Sequence, residues 1–158
     1  MKKIEVLLVR EFSAASLVPK ERLLADAACK LDECIQVKSI FGGKKWQDIS
    51  VGDLDYTEGV VLRLSDEAFS YYIAAYLHRF ITRYDEADVM LDCIMSMLTP
   101  PLSHGEPRPA WVASRLSYWS DAKCGLIAQV LKYLSDEHDC YASKQALAAF
   151  WAALLPAP

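Results

Sequence analysis

The chain has 158 residues, 53% of them hydrophobic and 24% charged, an ordinary globular composition that excludes a disordered or fibrous protein. At that length one domain, 1–158, is expected, with a core large enough to need no staple. The net charge of −4 hides an acidic middle, residues 46–106, with three Lys/Arg against eleven Asp/Glu; this argues against nucleic acid, since phosphate binding needs clustered cations.

The first apolar run, "IEVLLV" (Ile4 to Val9), is too short for its periodicity to separate strand from helix. Glu5 and Arg10 make it too brief for the apolar region of a signal peptide. No stretch approaches the ~20 apolar residues of a membrane span. A cytoplasmic protein with no membrane partner is therefore expected.

From Pro19 a helix is predicted, with Glu21 in its first turn and Leu24, Ala27, Ala28, Leu31 and Ile35 at helical spacing. Gly42-Gly43 breaks it, and Trp46 follows. Gly52 and Gly59 bracket the irregular "DLDYTE", and "VVLRL" (Val60 to Leu64) reads as a short strand. In "SDEAFSYYIAAYLHRF", Ser65 is an N-cap and Asp66 and Glu67 complement the helix dipole. Phe69, Tyr72, Ile73, Tyr76, Leu77 and Phe80 then form one apolar face, predicted to be core. Tyr71, Ala74, Ala75, His78 and Arg79 fall on the other faces.

Asp85 and Asp88 open a further helix with Leu91, Ile94, Met95 and Leu98 as its stripe, ended by Pro100-Pro101. Residues 99–112 read as a Pro-rich loop. Ser120 and Asp121 start a helix carrying Ile127, Val130, Leu131 and Leu134. The last helix is expected from about Ser143, with Leu147, Phe150, Trp151 and Leu154. The predicted fold is mainly α: an irregular helical bundle of about five helices, with room for one or two short strands.

Five cysteines (Cys29, Cys34, Cys93, Cys124 and Cys140) show no CxxC pair and are expected as buried reduced thiols. His138 and Cys140, with Cys29 and Cys34, lack a zinc-ligand spacing, so no metal and no cofactor is expected. Asp85, Asp88 and Asp92 share a helix face without the alternation of a calcium loop. No phosphate-binding glycine loop, HExxH or GxSxG occurs.

The stretch "LSDEAFSYYIAAYL" resembles, without gaps, the hallmark of a bacterial family known as domain of unknown function 6714, approximately Leu-Ser-Pro-Glu-x-Phe-x-Tyr-Tyr-Leu-Pro-Ala-Tyr-Leu. The matching positions are Leu64, Ser65, Glu67, Phe69, Tyr71, Tyr72, Ala75, Tyr76 and Leu77. "WQDISVGDLD", "MLTPPL" and "AAFW" are similar to its further features, so the likeness spans residues 20–152 and leaves residues 1–18 as an N-terminal extension. Asp66 and Ala74 stand where the hallmark has prolines. The resemblance implies a small, mainly helical bacterial protein and brings no catalytic residues.

Together these features predict a non-enzymatic protein-binding module: an immunity or antitoxin protein that neutralises a basic toxin or effector through an acidic, aromatic surface. Trp46, Asp48, Asp53, Asp55, Tyr56, Glu58, Tyr84, Asp85 and Trp111 are the expected contact residues, with Trp46 and Trp111 as exposed anchors. The alternatives are a small hydrolase or transferase whose carboxylates meet only in the fold, and a homodimer that buries its tryptophan-bearing loops.

Overall fold

The computed structural model describes residues 2–57 and 59–156, with the backbone alone for Asp88. The fold is mainly α, as the periodicity implies. The described residues form eight helices rather than about five: α1 (Lys2–Ser13), α2 (Asp32–Phe41), α3 (Val51–Asp55), α4 (Asp66–Thr82), α5 (Asp88–Leu98), α6 (Pro109–Leu116), α7 (Asp121–His138) and α8 (Tyr141–Ala149). The excess comes from α1, α3 and α6, two of them too short for a periodicity argument to detect.

α4 is the centre of the molecule. Ser65 Oγ accepts from the Ala68 amide at 3.1 Å and donates to the Arg22 carbonyl at 2.6 Å, so one side chain caps the helix and ties it to an upstream segment. The predicted core face is buried throughout, but so are Tyr71, Ala74, Ala75 and Arg79 on the other faces. Thirteen of its seventeen residues are buried, the pattern of a helix enclosed on all sides.

α1 and α7 pack on α4, and α8 packs on α5 and α7. The stretch 1–18 is expected as an extension, but its described residues, 2–18, are part of this arrangement: the "IEVLLV" run is helical, and Leu8, Phe12 and Val18 are buried in the common core. Their burial follows from spacing, since Leu8 and Phe12 stand four apart and share the helix face turned towards α4 and α7.

The helix predicted from Pro19 to Ile35 starts only at Asp32. Before it stands a single 3₁₀ turn, Lys20–Arg22. Asp26 Oδ1 then accepts from the Ala28 amide at 3.0 Å, a local turn that competes with helix formation. This turn carries Cys29 back onto α2, where it forms a disulfide with Cys34, with Cα atoms 6.1 Å apart. The expected reduced pair is thus a bridge, which removes the cysteine pattern as an argument for a cytoplasmic location. Cys93, Cys124 and Cys140 are free thiols.

"VVLRL" is a 3₁₀ turn at Val60–Arg63 rather than a strand, although Leu64 makes one antiparallel bridge with Leu24. The Pro-rich stretch 99–112 is ordered as a two-stranded hairpin, β1 (Leu102–Ser103) and β2 (Glu106–Pro107), followed by the start of α6. His104 and Gly105 both have positive φ, as a two-residue hairpin turn of this hand requires. Pro109 occupies the first helical position, where its missing N–H is no loss. The last helix begins at Tyr141, two residues before Ser143, and gives way to a 3₁₀ turn at Trp151–Leu154. No described helix is long and apolar enough to cross a membrane.

Candidate functional site

The expected contact residues divide into those the fold gathers and those it buries or separates. Trp46 is buried, 3% exposed, because its 3₁₀ turn (Trp46–Asp48) packs on α4; it is not an exposed anchor. Trp111 is half-buried, edge-to-face with Phe150 at 5.8 Å. It lines a different cleft, of about 700 Å³, shared with Leu62, Asp92, Pro100 and Arg115. Tyr84 is half-buried and stacked on His138 at 4.0 Å; burial first, then Cys140 close by, pushes its phenol up to about 12. Glu58 lies outside the described residues.

Four of the expected residues remain at the surface. Asp48, Asp55 and Asp85 are exposed, and Tyr56 is 80% exposed. Asp53 is partly covered. The Ser50 hydroxyl, N-cap of α3, accepts from the Asp53 amide at 3.0 Å, and Lys44 Nζ stands 3.5 Å from the Asp53 carboxylate. The contact with Ser50 is the largest cause holding the Asp53 carboxyl below its usual range.

What brings Asp55 and the Tyr84–Glu86 turn together is Arg79, a residue not expected at the site. Its guanidinium, 3% exposed, donates to Glu86 Oε2 at 3.0 Å and to the Glu86 carbonyl at 3.4 Å, and lies 3.5 Å from Asp55 Oδ1. Arg83 reaches the same Glu86 oxygen at 3.4 Å. The hydrogen bond from Arg79 is the main reason the Glu86 carboxyl sits below its ordinary value. A buried charge needs such partners, so Arg79 fixes the end of α3 against the turn that follows α4. Tyr56 comes directly after Asp55, and Asp85 directly before Glu86, so two of the expected contact residues adjoin this ion-pair network in the chain. The signal in the sequence is a charged residue inside a stretch too apolar to place it at the surface.

Behind this network, on the side towards α1, is a cleft of about 500 Å³. Val9, Ile49, Val51, Leu54 and Ala75 line its apolar part, and His78, Arg79 and Thr82 line it along α4, with Arg83 just past the helix end. His78 Nε2 is 3.2 Å from Glu5 Oε1. Trp46 closes the cleft from below, its ring 6.1 Å from that of His78. Trp119 and Trp151 hydrogen-bond through Nε1 to the carbonyls of Ser70 and Leu98, whereas Trp46 Nε1 and Arg79 Nε are buried without a protein partner. Among the described residues no group of three or more His, Cys, Asp or Glu is disposed to hold a metal ion.

Fold and site together define a mainly helical protein with an arginine-centred acidic rim beside an apolar cleft. Comparison with family models, curated proteins and solved structures finds no match.

Proposed function

We propose that the protein is a non-enzymatic binding module that engages a basic protein partner, in the manner of a bacterial immunity or antitoxin protein, and that it is kin to the family its α4 hallmark resembles. The observation that carries this reading is the convergence of Asp55 and Glu86 on buried Arg79, with exposed Tyr56 and Asp85 next to them in the chain. A rigid acidic rim with a protruding tyrosine suits recognition by complementary charge and an aromatic anchor. Because Arg79 and Arg83 already neutralise part of the rim, it serves register more than bulk attraction. Asp48 and Asp85, which make no ion pair with another described residue, supply the steering.

The hydrolase or transferase reading gains no support from this convergence. A general acid needs a carboxyl whose pKa is raised, and Glu86 is held in the opposite direction. The test is affinity capture from the native host with the intact chain and with a Tyr56→Ala/Asp85→Lys variant, in low and moderate salt. One stoichiometric basic partner, lost in the variant and weakened by salt, is the expected result. A partner retained equally by the variant, or no partner at all, overturns the reading.

A further inference from the structure

Residues 26–31 form a strap between two fixed points. Upstream, the Leu23 carbonyl accepts from the Ser65 amide at 2.9 Å, the Ala25 amide donates to the Arg63 carbonyl at 3.0 Å, and Leu23 and Leu24 are buried. Downstream, α2 begins at Asp32. The strap itself has little to hold it. Asp26, Ala27, Ala28, Lys30 and Leu31 are exposed, and every described hydrogen bond of the strap stays within it or goes to the first turn of α2. Its one cross-link is the bridge between Cys29 and Cys34.

The two sulfurs differ in access. Cys29 is half-buried, whereas Cys34 is 2% exposed on the inner face of α2. A thiolate arriving from solvent therefore attacks at Cys29, and Cys34 is the leaving group. Cys34 is the third residue of α2, where the helix N-terminus favours a departing thiolate, an effect tempered by Asp32 and Glu33 beside it. Once the bridge is open, the upstream hydrogen bonds and the burial of Leu23 and Leu24 still hold the chain to the start of α4, so the loosening stops at the strap. Ala27 shares a surface hollow of about 420 Å³ with Lys20, Glu21, Leu24 and Lys38, and opening the strap takes away that wall.

We propose that the Cys29–Cys34 bridge is a reversible redox switch, opened by a dithiol reductant at Cys29, that frees residues 26–31 and leaves the rest of the fold in place. One thiolate of the reductant bonds to Cys29 Sγ, the bond between the two cysteine sulfurs breaks, and its electron pair leaves on Cys34 Sγ. The second thiolate of the reductant then displaces Cys29. The reductant ends as a cyclic disulfide, oxidised by two electrons, and Cys29 and Cys34 end as thiols carrying its two protons. The switch is independent of the partner-binding reading, and either can fail without the other.

Lys30 lies inside the bridged loop and supplies the readout. A protease needs an extended stretch on both sides of the bond it cuts, which a closed loop of this size denies. The test uses the full chain at neutral pH without denaturant. It is oxidised, or reduced with dithiothreitol that is removed anaerobically, and then given a short pulse of trypsin. Cleavage after Lys30 is expected to be at least about tenfold faster in the reduced protein and in Cys29→Ser/Cys34→Ser, with cleavage after Lys20 and Arg22 changed by less than about twofold. Reoxidation should restore the slow rate. With glutathione as a monothiol probe and rapid alkylation, mass spectrometry should find glutathione on Cys29. A bridge that opens only in denaturant, equal cleavage after Lys30 in both states, a matching rise after Lys20 and Arg22, failure to reoxidise, or glutathione on Cys34 would each overturn the proposal.

Discussion

The Tyr76 hydroxyl donates to Thr57 Oγ1 at 2.7 Å, and the Thr57 hydroxyl in turn donates to the Leu54 carbonyl at 2.6 Å, a relay in which both side chains are fully buried. It stitches the middle of α4 to the end of α3. Replacing Thr57 by Val keeps the shape but strands the phenol, and should cost about 1–3 kcal/mol. Tyr76→Phe removes the donor and should cost about 1 kcal/mol. The double variant should be less destabilised than the sum of the two, because it leaves no buried phenol unpaired. Urea midpoints of the four proteins decide this, and strict additivity would show that the relay carries no coupling.

Glu86 predicts a pH dependence. Its folded carboxyl lies below the ordinary value of 4.5 because Arg79 favours the charged form, so its contribution to stability is present above that value. That contribution is lost as pH falls through the lower, folded value. Thermal scans should show the native protein losing stability below about pH 4.5 more steeply than Glu86→Gln. Parallel curves for the two would mean that Glu86 is not coupled to Arg79 in solution.

The bridge between Cys29 and Cys34 closes a short loop, and in the chain-entropy account a loop of this size contributes about 2 kcal/mol. Reduction, or the paired change Cys29→Ser/Cys34→Ser, should lower the melting temperature while α4 and α7 keep their helicity. Mass spectrometry after alkylation of the unreduced, unfolded protein should show three modified thiols, those of Cys93, Cys124 and Cys140. Five would show that the bridge does not form.

Phe12 tests the place of α1. Its ring is fully buried, with Lys123 Nζ 5.1 Å from the ring centroid. Phe12→Ala should destabilise the protein by about 3–5 kcal/mol, as expected for a large core truncation. A change below about 1 kcal/mol, measured by denaturant unfolding, would return α1 to the status of a loosely attached extension.

How much of this was legible in the chain depends on whether the signal was local. The aromatic face of α4 could be read because Phe69, Tyr72, Tyr76 and Phe80 recur at the helix period, and each is buried. The opposite face could not. Ala74 and Ala75 look like surface positions until other elements are known to pack there, and Arg79 looks solvated until Asp55 and Glu86 arrive from separate segments.

The 20–35 region misleads for the converse reason. Leu24, Ala27, Ala28, Leu31 and Ile35 have helical spacing, but Leu23 and Leu24 are buried while Ala27, Ala28, Leu31 and Ile35 are exposed, so the periodicity there is accidental. The position of Trp46 after two glycines suggests an exposed side chain, but its burial is decided by α4, far along the chain. Of the acidic residues, composition supplied the segment, and only the fold supplied the neighbour that groups them.

The enclosure of α4 also governs how the molecule can be divided. The elements around α2 and α3 dress one part of its surface, and α7, with α8 packed upon it, dresses another. A fragment ending after α4 would present the aromatic side chains that face α7 to water, and one beginning at α4 would present those that face the upstream turns. Neither piece should stay monomeric alone. Co-expressed with a break at the exposed hairpin between β1 and β2, outside that enclosure, the two parts should reassemble, making α4 the natural template for a split version of the protein.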